Sequence, residues 1–451
     1  MKFLYINKII YILLILLIPT FSWTQFTQEV LEVKDNSPYS RFGLGDVTNN
    51  NFAYLLSMGS IGASYHGTHN VNIVNPASYG HLVATVFEAG VHAEKSELKD
   101  ESISFSSWNG NLDYISLGFA LSNPINALLD RVEKKVNVGM SLTLAPYSTV
   151  GYDIIDTVSV ENIGNVAKRY LGSGGTYKFL WGTGVKYKQF SAGINLGYLF
   201  GNIKNTRYVN FLDLNHSYDN ISRSDYHVSG FVYNIGGMYD LFLNPNQIKE
   251  DPTISRKYIT FGIYGNSNTS YSTNLDEIVF SAEQLIGRVD TISNNIDISG
   301  DGTLPGTLGL GFHYRQGADW AIGVNYEFTQ WSNYRNDAFP EELSDSYKIS
   351  MGGFYSPNAK SYINYFKRIK YKYGLFYKSD PRSLGTEKLT DYGFTLGFGL
   401  PFINQRKLSA ADLSFTFGMK GNNTAIEERY MRINFGFTFN DDEWFIKRKY
   451  N

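Results

Sequence analysis

Two histidines are the side chains of this sequence whose type and spacing come closest to a metal site. They stand in His66-Gly67-Thr68-His69. Imidazoles a few residues apart can share one transition-metal ion. No carboxylate lies near them in the sequence, and a buried imidazole also needs hydrogen-bond partners. We therefore predict hydrogen-bonded histidines at these positions, and neither a metal nor another cofactor.

A second group of candidate ligands lies in a long acidic stretch. Asp297, Asp301 and Gly302 resemble a fragment of a calcium-binding loop, but the DxDxDG spacing of such a loop is absent. A solvated acidic loop that binds divalent ions loosely is the favoured interpretation.

No motif for nucleophilic or phosphate chemistry is found. A Gly-x-Ser-x-Gly elbow is absent, and Gly172-Ser173-Gly174-Gly175 lacks the lysine and the preceding strand of a phosphate loop. A triad assembled across strands stays open, because spacing along the chain does not test it. The prediction is that the protein is not an enzyme.

The composition excludes several classes of protein. The chain has 451 residues, a formal net charge of -2 and no cysteine. Without a basic face, nucleic acid is not an expected partner. Without cysteine, disulfide frameworks and thiolate sites are excluded. With 43% hydrophobic and 18% charged residues and no dividing linker, one large architecture is expected.

The N-terminus has the form of a secretory signal. Lys2 and Lys8 precede an apolar run over residues 9–18, with a cleavage site after Thr24. We predict a signal peptide over residues 1–24, because the run is shorter than the ~20 residues of a spanning helix. A flexible acidic leader over residues 25–36 follows. Since no later stretch can cross a membrane as a helix, any crossing must be made by strands.

The next stretch, residues 58–79, is apolar, rich in Gly and Ser, and follows no clean period of 2.0 or 3.6. It ends in Asn75-Pro76-Ala77, where the proline removes a donor that a central strand would need. We predict that residues 37–80, including Gly59 and Gly62, form a packed hatch inside the strands that follow. The alternative is a disordered leader.

Alternation of apolar and polar residues over 81–439 predicts a transmembrane β-barrel. In the last strand Ile433, Phe435, Phe437 and Phe439 point one way and polar or small residues the other. The polar faces are rich in Gly, Ser, Thr and Asn, and aromatic residues mark strand ends. Both features favour a lipid-facing barrel over a soluble sandwich.

The pattern predicts an all-β, antiparallel barrel of about fourteen strands, an even number as in closed bacterial barrels, with the hatch in its lumen. The strands are expected near 82–98, 101–121, 136–154, 176–188, 190–204, 224–241, 256–271, 305–316, 318–332, 345–356, 367–379, 387–400, 407–420 and 428–439. Short connections would be periplasmic. Extracellular ones would include 272–304 and 156–175, the latter with a helix-like piece over 162–170. Residues 440–451 are predicted to be a basic periplasmic tail.

The chain resembles the outer-membrane long-chain fatty-acid transporter family (the FadL type), and within it the branch of Bacteroidetes-type bacteria. The matching features are Gly59, Gly62, Asn75-Pro76-Ala77, Gly172-Ser173-Gly174-Gly175, the strand over 191–201 and the ending over 444–449. The resemblance implies a fourteen-stranded barrel closed by a hatch, through which hydrophobic molecules diffuse and leave by an opening in the wall. The acidic leader and the basic tail depart from the family.

Two functions follow as hypotheses. The first is passive uptake of a hydrophobic small molecule, of fatty-acid or aromatic-hydrocarbon type, across a Gram-negative outer membrane, with the hatch and the C-terminal tail on the periplasmic side and membrane lipid around the wall. The second is a non-transporting barrel subunit of an outer-membrane secretion or assembly complex, with a protein partner. A water-filled porin is a third alternative, against which the hatch argues.

Pro146 and Tyr147 are the candidates for a lateral opening. Proline removes a ladder hydrogen bond, and a closed barrel has no edge to tolerate it. A bulge there would leave backbone groups unpaired unless something covers them. We predict that ligand leaves beside Pro146, gated by the hatch around Asn75-Pro76-Ala77. The alternative is that Pro146 lies at the extracellular end of the lipid belt, where water satisfies the missing bond.

Overall fold

The computed structural model describes residues 37–99, 104–121, 135–214, 217–251, 253–283, 288–361, 363–384, 387–404, 407–422, 424 and 426–441. The predicted signal peptide (1–24), the acidic leader (25–36) and the tail from residue 442 onwards lie outside this part of the chain. Within it, no helix is long and apolar enough to cross a membrane.

Strands make up most of the described chain. They are β1 (Asp46–Val47), β2 (Thr85–Lys99), β3 (Ser104–Ala120), β4 (Val136–Val160), β5 (Gly164–Tyr187), β6 (Phe190–Phe211), β7 (Tyr218–Phe242), β8 (Lys257–Asn266), β9 (Thr269–Glu283), β10 (Arg288–Leu304), β11 (Thr307–Gln316), β12 (Trp320–Thr329), β13 (Arg335–Asn336), β14 (Ser346–Tyr355), β15 (Lys370–Leu384), β16 (Glu387–Asn404), β17 (Lys407–Lys420) and β18 (Glu427–Asp441). The helices are short: α-helices Ala53–Leu56 and Pro245–Glu250, and 3-10 helices Pro38–Arg41, Pro76–His81, Trp331–Asn333 and Tyr365–Lys367.

Among the described residues, fourteen of these strands form a closed antiparallel barrel: β2 to β8, β11, β12 and β14 to β18. β18 closes the ring by pairing with β2 from Glu427 opposite Lys99 to Asp441 opposite Thr85. β8 pairs directly with β11, because β9 and β10 form a separate hairpin that pairs with residues 218–230 of β7. The predicted fourteen-stranded barrel is therefore confirmed.

The two faces of the wall follow the alternation of the sequence. On β8, Phe261 and Ile263 are 48% and 49% exposed on the outside, while Thr260 before them and Tyr264 after them are buried inside. Large exposed apolar side chains recur around the whole outer face. A continuous apolar belt of this kind is stable only in contact with lipid.

The short turns 188–189 and 317–319 lie at the same end of the barrel as the start of β2 and the end of β18. We call this the short-turn end. Strands β4 to β7 have 22 to 25 residues each, whereas crossing a bilayer takes about 9–11. They therefore project well beyond the membrane at the opposite end.

Two predicted connections prove to be strands. The helix-like piece over 162–170 lies in β5, and β4 and β5 remain paired up to Val160 opposite Gly164. The predicted loop over 272–304 consists of β9 and β10, paired from Glu283 opposite Arg288. Both hairpins stand beyond the lipid belt, where both faces of a sheet meet solvent. Alternation is therefore lost there, which is why the sequence did not reveal them.

Residues 37–84, called the inner segment below, pack against the inward-facing side of the barrel. Their side chains Leu55, Met58 and Ile61 share one buried apolar cluster with wall residues on β3, β5, β12 and β14. The wall partners include Tyr114 and Leu180. Because these strands lie on different sides of the ring, the inner segment occupies the lumen between them.

Candidate functional site

Asn75 anchors the inner segment to one side of the wall. Its Oδ1 accepts from the backbone N–H of Ala77 at 3.1 Å and so caps the 3-10 helix that Pro76 begins. Its Nδ2 donates to the backbone oxygens of Ala63 at 2.6 Å, Ile263 at 3.1 Å and Gly237 at 3.3 Å. One side chain therefore ties two parts of the inner segment to β7 and β8.

Gly59 and Gly62 allow the inner segment its tight course. Gly59 has a φ of +68°, and a Cβ there would lie 2.8 Å from the backbone oxygen of Met351 on β14. A Cβ on Gly62 would lie 2.7 Å from Oδ1 of Asn51. Both positions therefore require glycine, the first for backbone conformation and the second for close packing.

On the opposite side the wall has an open seam. In the described chain, β3 pairs with β4 only from Ile115 opposite Leu144 to Ala120 opposite Gly139. Beyond Leu144, β4 continues for sixteen residues to Val160 without a β3 partner. Its ladder with β5 also shifts register between Pro146 and Ser148, where the proline pattern predicts a bulge.

The inner segment covers this free edge of β4. β1 pairs with it, Asp46 opposite Thr149 and Val47 opposite Ser148. The backbone N–H of Thr48 donates to the oxygen of Tyr147 at 2.9 Å.

Further bonds extend the cover in both directions. The Thr48 hydroxyl donates to the oxygen of Pro146 at 2.7 Å, and the backbone N–H of Ser37 donates to that of Gly151 at 2.9 Å. The unpaired backbone groups at the seam are thus satisfied by a cover of few residues, held by hydrogen bonds.

Behind the seam lies a lumenal cavity of about 390 Å³. Its walls differ in chemistry. The wall formed by β15 to β18 carries acidic and basic side chains, whereas the wall near β4 and β7 is apolar and aromatic. Residues of the first wall are Lys378, Asp380, Arg382, Asp391, Lys420, Glu428 and Arg432; residues of the second are Leu44, Tyr147, Leu180, Val232, Leu304 and Trp331.

Asp46 joins the cover to the charged wall. Its Oδ1 lies 2.5 Å from Nη1 of Arg382 and 3.2 Å from Nζ of Lys420. Arg382 also holds Asp380 at 2.7 Å and donates to the backbone oxygen of Tyr39 at 2.7 Å. Burial alone would raise the pKa of Asp46, but Arg382 and Lys420 outweigh it and hold this pKa well below its ordinary value. The Asp46 carboxylate is therefore ionised at neutral pH. Its attraction to Arg382 and Lys420 holds the cover against the charged wall.

The apolar wall is partly filled by the chain itself. Leu44 of the inner segment and Tyr334 of the connection before β14 pack against Val150, Tyr226 and Tyr271 of the strands. Tyr147, at the seam, packs against the same cluster. The part of the cavity wall beside the seam is therefore apolar and aromatic.

The sequence analysis predicted that the Asn75-Pro76-Ala77 turn gates an opening beside Pro146, but the structure places the two apart. The part of the inner segment that lies against Pro146 and Tyr147 is its beginning, residues 37–48. The Asn75-Pro76-Ala77 turn packs instead on β6 to β8, where a Cβ on Gly193 would lie 2.4 Å from the oxygen of Pro76. The expectation that this turn gates the seam is corrected accordingly.

Sequence reasoning missed Asp46 and Arg382, since partners 336 residues apart leave no local signal.

Both histidines of the first candidate group are hydrogen-bonded, as predicted, but to different partners. His69 is hydrogen-bonded to Thr68 at 2.8 Å on an exposed part of the segment, whereas His66 is buried against Asp240 at 3.0 Å. In the acidic hairpin, the backbone N–H groups of Asp297 and Asp301 donate to the carboxylates of Asp276 and Asp337. His66 and His69 therefore do not share a site.

Comparison with models of known protein families shows the family to which the chain belongs. The family model BamG matches residues 6–451. The chain belongs to the BamG family. No curated protein matches its sequence.

Comparison with solved structures shows which fold this BamG-family chain shares with known proteins. A Pseudomonas aeruginosa FadL homologue is 10% identical, with a TM-score of 0.54 over 88% of this chain and 99% of that one. A TodX mutant described as a monoaromatic hydrocarbon channel is 12% identical, with a TM-score of 0.51 over 87% and 99%. Because these sequence identities are so low, the comparison establishes the fold alone. The BamG-family chain shares the FadL-type barrel fold with both structures.

Proposed function

We propose that this BamG-family barrel is an outer-membrane channel for passive uptake of a hydrophobic small molecule, which leaves sideways through the seam between β3 and β4. The observation that carries the proposal is the free edge of β4 above Leu144, covered only by the start of the inner segment. The known barrels of the same fold supply the precedent, since one is described as a FadL homologue and another as a hydrocarbon channel.

The physical argument starts from the cost of an open edge. Backbone N–H and C=O groups facing hydrocarbon must be paired, and each unpaired group costs several kcal/mol. Here the pairs come from Val47, Thr48 and Ser37. Moving this cover away would open a passage from the cavity towards the lipid, and the same bonds would close it again afterwards.

The cavity suits a ligand with an apolar body and an anionic end. Tyr147 and Val232 offer an apolar surface, while Arg382 and Lys420 lie on the opposite wall. A fatty acid matches both walls, whereas an aromatic hydrocarbon matches only the first. We propose a fatty-acid-type ligand on this ground.

In the proposed orientation the short-turn end faces the periplasm. Residues 37–80 act as the hatch, and the tail beyond β18, which ends at Asp441 and not at the expected residue 439, lies on the same side. Long strands would then project outwards, as in outer-membrane barrels, which have short periplasmic turns and longer extracellular parts.

A disulfide between cover and seam tests the proposal. Val47→Cys and Ser148→Cys face each other across an antiparallel pair, at a spacing that a disulfide can bridge. The chain has no other cysteine. We expect oxidation to stop uptake of a fluorescent fatty acid and reduction to restore it. The control pair is Val185→Cys with Ala192→Cys, opposite each other in the continuous ladder of β5 and β6. Unchanged uptake with a complete crosslink at the seam would refute the lateral exit.

One observation favours the second hypothesis, a non-transporting subunit of an outer-membrane complex. The ion pairs of Asp46 with Arg382 and Lys420 hold the cover against the wall, as in a barrel that stays shut. Purification in mild detergent separates the hypotheses. A stoichiometric protein partner, together with uptake that the seam disulfide does not alter, would favour the subunit.

A further inference from the structure

Three side chains that are far apart in sequence meet beneath the inner segment, at the short-turn end of the barrel. His66 and His81 belong to the inner segment and Asp240 to β7. Nε2 of His66 lies 3.0 Å from Asp240 Oδ1, and Nδ1 of His81 lies 4.0 Å from Asp240 Oδ2. One ligand atom from each residue lies within 4.8 Å of the others, and all three residues are buried.

The position between these groups already holds a cation of the chain itself. Nζ of Lys186 lies 3.0 Å from Nδ1 of His81 and 3.2 Å from Oδ2 of Asp240. The Lys186 side chain is 20% exposed, in contrast to 3% for Asp240. Its long, flexible stem can therefore carry the ammonium out to solvent while the other three groups stay in place.

The surroundings supply the support that metal ligands need. The Thr260 hydroxyl donates to Asp240 Oδ1 at 2.7 Å, and His81 Nε2 is hydrogen-bonded to the Ser191 hydroxyl at 2.8 Å. The two imidazole rings are stacked, with centroids 3.7 Å apart, so one ring has to rotate before both nitrogens point at a single ion. Outer hydrogen bonds of this kind orient imidazole and carboxylate ligands.

We propose that His66, His81 and Asp240 form a binding site for a divalent transition metal ion of the zinc type, and that Lys186 occupies the site in its absence. Two imidazoles and a carboxylate are a ligand set that Zn²⁺ accepts, with room for a further ligand. Bound metal would tie the inner segment to β7, on the side of the lumen away from the seam.

The proposal is tested on the full-length barrel in detergent, freed of metal with a chelator and titrated with Zn²⁺ by calorimetry at neutral pH. We expect one Zn²⁺ per chain. His66→Gln should weaken binding by at least about 10-fold, the loss that even an outer-shell partner causes. His69→Gln, three residues away on the exposed part of the segment, should leave binding unchanged.

Lys186→Met gives the sharper result, because it should tighten Zn²⁺ binding by removing the competing cation. Co²⁺ replaces Zn²⁺ in a second measurement, in which the intense visible absorption of a four-coordinate site should be lost in Asp240→Asn. Heat-modifiability on gels confirms that each variant is folded. The proposal fails if wild type does not bind, if His69→Gln weakens binding as much as His66→Gln, or if Lys186→Met binds Zn²⁺ no more tightly than wild type.

Discussion

The inner segment meets the barrel wall in two different ways on its two sides. Towards β5 to β8, the wall is built of glycines that let the backbone of the segment approach closely. A Cβ would lie 2.5 Å from the oxygen of Pro76 at Gly184, 2.0 Å from Oδ1 of Asn75 at Gly236, and 2.0 Å from the oxygen of Ala63 at Gly262. Along the free edge of β4 beyond Leu144, by contrast, the contact consists of a two-residue strand, a few hydrogen bonds and the packing of Leu44 on Val150.

The difference indicates which side can move. Close packing against glycine is lost altogether when the parts separate, because dispersion contacts fall off steeply with distance. A hydrogen bond to a seam can be exchanged for one to water or to an arriving polar group, so its net contribution is only about 0.5–1.5 kcal/mol. We therefore propose that the β5 to β8 side is a fixed attachment and that the seam side can be released. The following predictions test this contrast, from the largest expected effect to the smallest.

Filling the fixed side should have the largest effect. Gly236→Val places a side chain where Asn75 lies 2.0 Å away, and we expect a loss at or above the upper end of the ~1–3 kcal/mol of overpacking. Urea unfolding followed by heat-modifiability measures it. The matched control is Gly237→Val, one residue along on the lipid face, where the nearest atom to a Cβ is Ile263 at 3.6 Å. Equal destabilisation by both variants would contradict the assignment of a fixed side.

Removing the anchor side chain should cost somewhat less. Asn75→Ala deletes the helix cap and the bonds to Ala63, Ile263 and Gly237. We expect about 2 kcal/mol, since a cap is worth ~1 kcal/mol and the buried carbonyls lose their donor. Limited proteolysis of the inner segment in the folded barrel should become faster. A proteolysis rate like that of wild type would mean that other contacts fix this side.

Weakening the seam side should affect gating more than stability. Thr48→Val removes the hydroxyl that donates to Pro146 and should cost about 1 kcal/mol or less. Uptake of the fatty-acid probe should rise while the unfolding midpoint stays nearly constant. Thr48→Ser, which keeps the hydroxyl, serves as the control. A fall in uptake, or a change as large with serine, would argue against a releasable cover.

Acid should loosen the seam side only slightly. Because Arg382 and Lys420 hold the pKa of Asp46 below its ordinary value of 3.8, its ion pairs contribute fully above that value. The contribution is lost as pH falls below 3.8 towards the lower folded-state pKa. A spin label on Val47→Cys should therefore gain mobility between pH 5 and pH 3, whereas the Asp46→Asn variant should show the same mobility at both. Mobility that depends on pH in both variants would assign the effect to another group.

Several features were accessible from the sequence because lipid imposes them locally. The alternation of Phe435, Phe437 and Phe439 with small or polar residues is repeated in each strand that crosses the membrane, so the number of strands was predicted correctly. Pro146 marked a register shift because a missing N–H disrupts any ladder. Where the strands leave the lipid, as at 162–170 and in β9 and β10, both faces are solvated and the same pattern is missing.

The candidate site was less accessible, because its parts come from opposite ends of the chain. Nothing near Asp46 indicates that it pairs with Arg382, and nothing near His66 indicates that Asp240 lies beside it. A polar side chain inside a barrel can face any of fourteen strands. Its neighbour depends on register and on how the inner segment folds, and neither leaves a periodic trace.

The sequence by itself determined the barrel, its strand number, its lipid-facing side and the presence of a non-periodic segment ahead of it. These follow from the hydrophobic effect acting on each strand separately, with a period of two residues. Only the tertiary structure decided which part of the inner segment covers the seam, which charges line the cavity and which histidine meets a carboxylate. These are long-range contacts fixed by closure of the ring, and a closed ring brings together residues whose distance along the chain carries no information about their distance in space.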